Sequence, residues 1–132
     1  MDLEILEIAS DNNNNKFITN HTHQSKLKNV LCGDEMQINL VIENNKILDF
    51  GYQGKSCVYC QASANLLSKI AINKQKSKIN ELCDDAKYFF QDNNRILKKK
   101  WRILSKLFKK ANEPRKECIL LPFKTVKKIV SD

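Results

Sequence analysis

The sequence predicts an α+β domain: a small antiparallel sheet with helices packed on one face. Three observations carry this reading. Met36, Ile38, Leu40 and Ile42 alternate with Gln37, Asn39 and Glu43, the period of a strand with one buried face. "ENNK" follows, and Asn44-Asn45 suits the left-handed conformations of a tight hairpin turn. Beyond Cys57, apolar residues recur at helical spacing instead. Strands followed by helices favour a sheet layer covered by a helix layer. A length of 132 residues suits one domain with a modest core, expected to span 1–132.

In chain order, Leu3, Ile5, Leu6 and Ile8 suggest a short helix. It stops at "SDNNNN", a cluster of turn formers read here as a loop without packing value, so residues 1–20 are helix and Asn-rich loop. Thr22 to Lys28 reads as a polar edge strand, and Ile47 to Tyr52 as the return strand of the hairpin, ending at Gly51 and Gly54. Val58, Ala62, Leu66 and Ile70, flanked by Leu67 and Ala71, form one helical stripe. Ile79, Leu82, Cys83, Ala86 and Phe90 form a second. Leu97, Trp101, Leu104 and Phe108 form a third, with a solvated lysine face opposite. Pro114 in "ANEP" breaks that helix. A last helix is expected from about Leu120, with Pro122 in its first turn and Val126, Ile129 and Val130 buried.

The formal net charge is +8, yet all but three of the 23 basic residues are lysine. Base readout and bidentate phosphate contacts favour arginine. Lysine, asparagine and isoleucine together are what an AT-rich coding sequence gives, so no nucleic-acid partner is expected. No apolar run approaches a membrane span, and no membrane partner is expected. "MDLEILEIASDNNNN" is acidic and lacks the pattern of a secretory signal, so a cytoplasmic protein is expected. There, five cysteines are thiols, metal ligands or reactive groups rather than a disulfide framework.

Cys32 falls in the turn before the first clear strand, Cys57 at the start of a helix, and Cys118 just before the last helix. All three are element ends, where the chain can converge on one point. Cys83 reads as a small buried hydrophobe, and so does Cys60. Cys57-x-x-Cys60 could also be half of a zinc ribbon, but no second such pair exists. It could be a redox pair at a helix N-terminus, though the expected βαβ surroundings are missing. His21 and His23 alternate in a polar segment and are expected to face solvent.

In "CGD", residues two apart in extended chain point the same way, so Cys32 and Asp34 could share one ion. Gly33 lets the backbone turn and keeps the site clear. With Cys57 and Cys118 the set is three thiolates and a carboxylate, suited to tetrahedral zinc or to an iron–sulfur cluster. A hard oxygen ligand among soft thiolates makes such a site exchangeable.

The stretches "CGDEMQINLVIENNKILDFGYQGKSC", "QASANLLSKI" and "PRKECILLPFKTVKKI" resemble the IscU/NifU family of iron–sulfur cluster assembly scaffolds. The long interval from Cys57 to Cys118, Glu117 where shorter relatives carry His, and Arg115 three before Cys118 are similar to the SufU branch. The chain departs from the family pattern at Ser56, usually Gly, at Cys60, usually a small residue such as Ser, and at "NNNNK", which replaces a Pro-Arg-Asn segment. The resemblance implies an IscU/SufU-like fold, a metal site of Cys32, Asp34, Cys57 and Cys118, and Cys32 as sulfur acceptor.

The expected activity is then a zinc-dependent sulfurtransferase step. Cys32 takes persulfide sulfur from a SufS-like cysteine desulfurase, and Arg115 steadies the thiolate or contacts the partner. Downstream iron–sulfur assembly or carrier proteins would receive the sulfur. One alternative is a scaffold building a transient [2Fe–2S] cluster on the same residues. Another, of a different class, is a zinc-stabilised binding module without chemistry.

Overall fold

The computed structural model describes residues 3–91 and 96–131. The ends of the expected 1–132 domain, Met1, Asp2 and Asp132, lie outside the described residues. Helix α1 (Leu3–Ser10) is followed by strands β1 (His23–Lys28), β2 (Glu35–Glu43) and β3 (Lys46–Gln53). Helices α2 (Val58–Ala71) and α3 (Lys76–Gln91) come next, then two 3-10 segments, Lys99–Leu104 and Lys110–Arg115, and α4 (Lys116–Val130). The sheet is antiparallel in the order β1-β2-β3, so the polar strand β1 is an edge, as its composition suggested.

Asn44 and Asn45 both take positive φ, 52° and 64°, and close the β2–β3 hairpin. Leu40 then faces Phe50 and Ile38 faces Tyr52, so the four bury on one side. Helices α2 and α4 cover that side: α4 lies against β1 and β2, and α2 reaches β3. Helix α1 packs on α2, and α3 on α4. Ser63 Oγ donates to the Ile119 carbonyl at 2.6 Å, tying the two sheet-covering helices together at a buried point.

Four expectations change. The Asn-rich segment is not idle. Asn14 Nδ2 donates to Ser68 Oγ at 2.9 Å, its carbonyl accepts from Tyr52 N–H at 3.0 Å, and Asp11 pairs with Lys69. Asn39, on the alternation's polar side, is buried instead, because Ile18 N–H donates to its Oδ1 at 3.0 Å. Residues 14–18 therefore strap the second face of the sheet. Gly51 is needed beneath the strap, since a Cβ there would lie 2.6 Å from the Lys16 carbonyl oxygen.

The third apolar stripe is not an α-helix. Lys99–Leu104 is a 3-10 segment that buries Trp101 and Leu104 three residues apart, and the chain turns before the buried Leu107 and Phe108. Trp101 itself is off helical geometry (φ −107°, ψ 18°), and its indole donates to Asp85 at 2.8 Å. Lysines around it partly pair with acids: Lys98 and Lys100 with Glu81, Lys98 also with Asp85, and Lys106 with Glu4. Finally, α4 begins at Lys116, so Cys118 lies inside its first turn and Pro122 one turn deeper than expected. Pro122 has no N–H to offer the Cys118 carbonyl four residues back.

Candidate metal centre

The turn between β1 and β2 positions the first two donors. Asn29 N–H donates to the Asp34 carbonyl at 2.8 Å, and Gly33 N–H to the Asn29 carbonyl at 2.7 Å. Gly33 has φ 77° with open space where a Cβ would stand. This turn leaves Cys32 exposed and sends Asp34 inward, 7% exposed.

Cys57 comes alongside through a second glycine. Gly54 has φ 155°, and a Cβ on it would lie 2.0 Å from the Glu35 carbonyl oxygen. That close approach lets Glu35 N–H donate to the Lys55 carbonyl at 2.8 Å. Cys57, the half-buried N-cap of α2, then donates its N–H to Asp34 Oδ1 at 3.2 Å. Cys118 arrives on the first turn of α4, 6% exposed. Two helix N-termini thus meet at one point, and their positive ends favour anions there.

The ligand atoms of Cys32, Asp34 and Cys118 all lie within 4.8 Å of one another. Cys32 and Cys118 Sγ are 4.0 Å apart. Two sulfurs on a tetrahedral zinc stand ~3.8 Å apart, from Zn–S bonds of about 2.3 Å. The Cys57 thiol lies outside that spacing, beside Cys118: burial first, then the Cys57 and Asp34 side chains, push the Cys118 thiol well up. Asp34 Oδ2 is buried without a hydrogen-bond partner. Such an oxygen costs about 1–3 kcal/mol when nothing compensates it. An orphaned carboxylate oxygen facing closely spaced thiols fits a thiophilic cation, and the donors suit zinc or iron.

Of the sequence candidates, Arg115 is brought near but not into this cluster. It is exposed at the N-cap of α4, with its guanidinium over the Tyr59 ring at 5.3 Å. Cys60 is wholly buried behind Cys57, and burial pushes its thiol well up. Cys83 sits in the core between α3 and α4, pushed up to about 12 by burial. His21 and His23 stay outside. His21 Nδ1 is 2.7 Å from the Ile18 carbonyl oxygen, and His23 is exposed. Sequence reasoning missed Val30 and Leu31. They stand 87% and 83% exposed beside Cys32, and two apolar residues inside a polar turn were the available signal.

Residues 3–87 match the family model described as NifU-like N terminal domain. The chain belongs to that family. The match takes in Cys32, Asp34 and Cys57 and ends before Cys118. This NifU-like domain is 31% identical over 101 residues to the iron–sulfur cluster assembly scaffold protein IscU of Thermotoga maritima, covering 76% of the chain and 70% of the relative. It is also 31% identical over 111 residues to an uncharacterised protein of Borreliella burgdorferi, covering 82% and 71%. In structure, the NifU-like domain is similar to a Fervidobacterium islandicum AW-1 protein described as an iron–sulfur cluster assembly scaffold for the SUF system, FiSufU. The TM-score is 0.82 at 25% identity, over 97% of this chain and 94% of that one. The N-terminal part of a nitrogen-fixing NifU-like protein from Brucella abortus shares the fold, with TM-score 0.83 at 19% identity over 98% and 91%. Among the described residues, no helix is long and apolar enough to cross a membrane.

Proposed function

We propose that this NifU-like domain works in iron–sulfur cluster assembly as a sulfur acceptor, taking persulfide sulfur onto Cys32 from a cysteine desulfurase. The observation that carries the reading is the contrast within one cluster. Cys32 is exposed, while Asp34 and Cys118 beside it are buried. A set built only for stability has no use for one thiol at the surface. Cys32, Asp34, Cys57 and Cys118 would hold zinc, and a bound zinc keeps its thiolates deprotonated at neutral pH.

The transfer is a thiolate exchange. Cys32 attacks the outer sulfur of the donor persulfide. The donor S–S bond breaks, a new S–S bond forms on Cys32, and the donor cysteine leaves as thiolate. Asp34 holds the start of α2 through the Cys57 N–H, and Arg115 faces outward from the edge of the site, where it can contact the desulfurase.

A second reading, a scaffold for a transient [2Fe–2S] cluster on the same residues, is supported by the likeness to the Thermotoga maritima IscU. One experiment separates the two. The purified domain is incubated anaerobically with desulfurase and cysteine, with and without iron. Its persulfide is mapped by mass spectrometry and its visible spectrum recorded. Sulfur on Cys32 without iron, lost in Cys32→Ser, supports the acceptor. Visible absorption only with iron, and no persulfide without it, supports the scaffold.

A further inference from the structure

The start of α2 holds a second thiol that the metal reading leaves without a role. Cys57 is the half-buried N-cap, with extended backbone (φ −72°, ψ 169°). Cys60 lies in the first turn, wholly buried, and both thiols are free. Side chains at an N-cap and three residues on face each other, the relation that closes a capping box. Helical Cβ atoms tilt toward the N-terminus, which aims Cys60 Sγ back at Ser56 and Cys57. Gln61 Nε2 donates to Ser56 Oγ at 2.6 Å, which fixes the backbone entering the pair against the same first turn. A buried thiol thus stands directly behind a proposed metal ligand.

We propose that Cys57 and Cys60 form a dithiol–disulfide pair whose oxidant is a low-molecular-weight disulfide, and that closing the pair withdraws Cys57 from the metal set. The withdrawal rests on the metal reading above; the pair itself does not. Exposure fixes the order of attack. An external disulfide reaches Cys57 and not Cys60. Cys57 thiolate attacks one sulfur of the oxidant, whose S–S bond breaks to release the first thiol. Cys60 then attacks Cys57 Sγ, and the second thiol leaves with the Cys60 proton. Two protein thiols are oxidised and one external disulfide is reduced to two thiols. The competing pairs are Cys32 with Cys118, whose sulfurs are 4.0 Å apart, and Cys57 with Cys118 beside it.

The sequence makes the two products distinguishable. Trypsin cuts after Lys55 and Lys69, so Cys57 and Cys60 leave in one peptide, whereas Cys32 and Cys118 lie on different ones. The full chain, stripped of metal with a chelator, is treated with excess oxidised glutathione, alkylated, digested and mapped. The expected result is the 56–69 peptide two hydrogens lighter, closed to alkylation and reopened by reductant. In Cys60→Ser the same peptide carries glutathione on Cys57. Cys60 left open to alkylation in wild-type protein, with oxidation confined to a cross-link from Cys118 to Cys32 or to Cys57, overturns the pair.

Zinc affinity is measured in parallel against a chromophoric chelator. Wild-type protein should weaken at least about tenfold on oxidation, while Cys60→Ser, protected from adducts by prior reduction, keeps the reduced value. Equal affinity before and after closure of the pair overturns the withdrawal. A reduced protein that binds no zinc overturns the metal reading, and the peptide map still decides the pair.

Discussion

Cys32 and Cys118 lie 86 residues apart in the chain, and their sulfur atoms are 4.0 Å apart in the fold. Asp34 completes a cluster with them, and its Oδ2 has no hydrogen-bond partner. In metal-free protein that buried oxygen opposes folding; in the proposed metal set it would be a ligand. Asp34→Asn keeps the Oδ1 acceptor for Cys57 and removes the charge. Metal-free Asp34→Asn should therefore be at least as stable as wild type in urea unfolding, while zinc affinity drops tenfold or more. A variant that is less stable without metal yet binds zinc normally would show that Asp34 serves packing alone.

The two glycines of the site should respond in opposite ways. Gly54→Ala drives a Cβ into the Glu35 carbonyl and parts Cys57 from Asp34. A loss of about 3 kcal/mol is expected, together with impaired metal binding. Gly33→Ala meets nothing and suffers only the left-handed backbone, about 1–2 kcal/mol. Gly33→Asn should lose less still, because Asn tolerates that conformation. Similar losses at both positions in thermal unfolding would contradict this account.

Alkaline pH should weaken the metal-free fold. Burial raises Cys83 from 9.0 to about 12 and Tyr52 from 10.0 to about 12. The unfolded chain releases these protons first, so unfolding releases protons and gains as pH rises. The stability is complete below pH 9, falls as pH climbs, and is lost once pH passes the folded values near 12. Each group contributes a slope approaching 1.4 kcal/mol per pH unit across its window. Cys83→Val should make the decline that begins at pH 9 shallower, leaving the shares of Cys60 and Cys118, which burial also raises, and the later Tyr52 part. An unchanged slope between pH 9 and 10 would show that Cys83 titrates normally.

Val30 and Leu31 hold no part of the core, so Leu31→Asp should leave thermal stability within about 0.5 kcal/mol of wild type. In the proposed transfer, their place beside Cys32 would make them the first apolar surface a sulfur donor meets. The same substitution should raise the domain concentration needed for half-maximal sulfur transfer from a desulfurase severalfold, with zinc content unchanged. Transfer at the wild-type concentration dependence would remove this turn from the docking surface.

The parts of the fold legible in the sequence were those with a strict period. Met36 to Glu43 and the helical stripe from Val58 could pack in only one way, and Asn44-Asn45 carried its own turn chemistry. The 3-10 geometry at Trp101 was hidden because a spacing of three satisfies a short α-helical stripe equally well. The strap at residues 14–18 was hidden because polar residues there bond to partners far along the chain, Asn39 and Ser68, which local composition does not reveal. The candidate site was legible as residue types at element ends. The orphaned oxygen of Asp34 and the exposure of Val30 and Leu31 were not, since both follow from the path of one turn.

The proposed donors come from three separate stretches: the β1–β2 turn, the cap of α2 and the first turn of α4. During synthesis the first two stretches emerge early, and the third only after α3 and both 3-10 segments have been made. A nascent chain therefore lacks the Cys118 sulfur until nearly all of the fold that supports it exists. On the proposed metal set, loading would act as a checkpoint on completed synthesis, and a chain halted before α4 would not pass for a finished one.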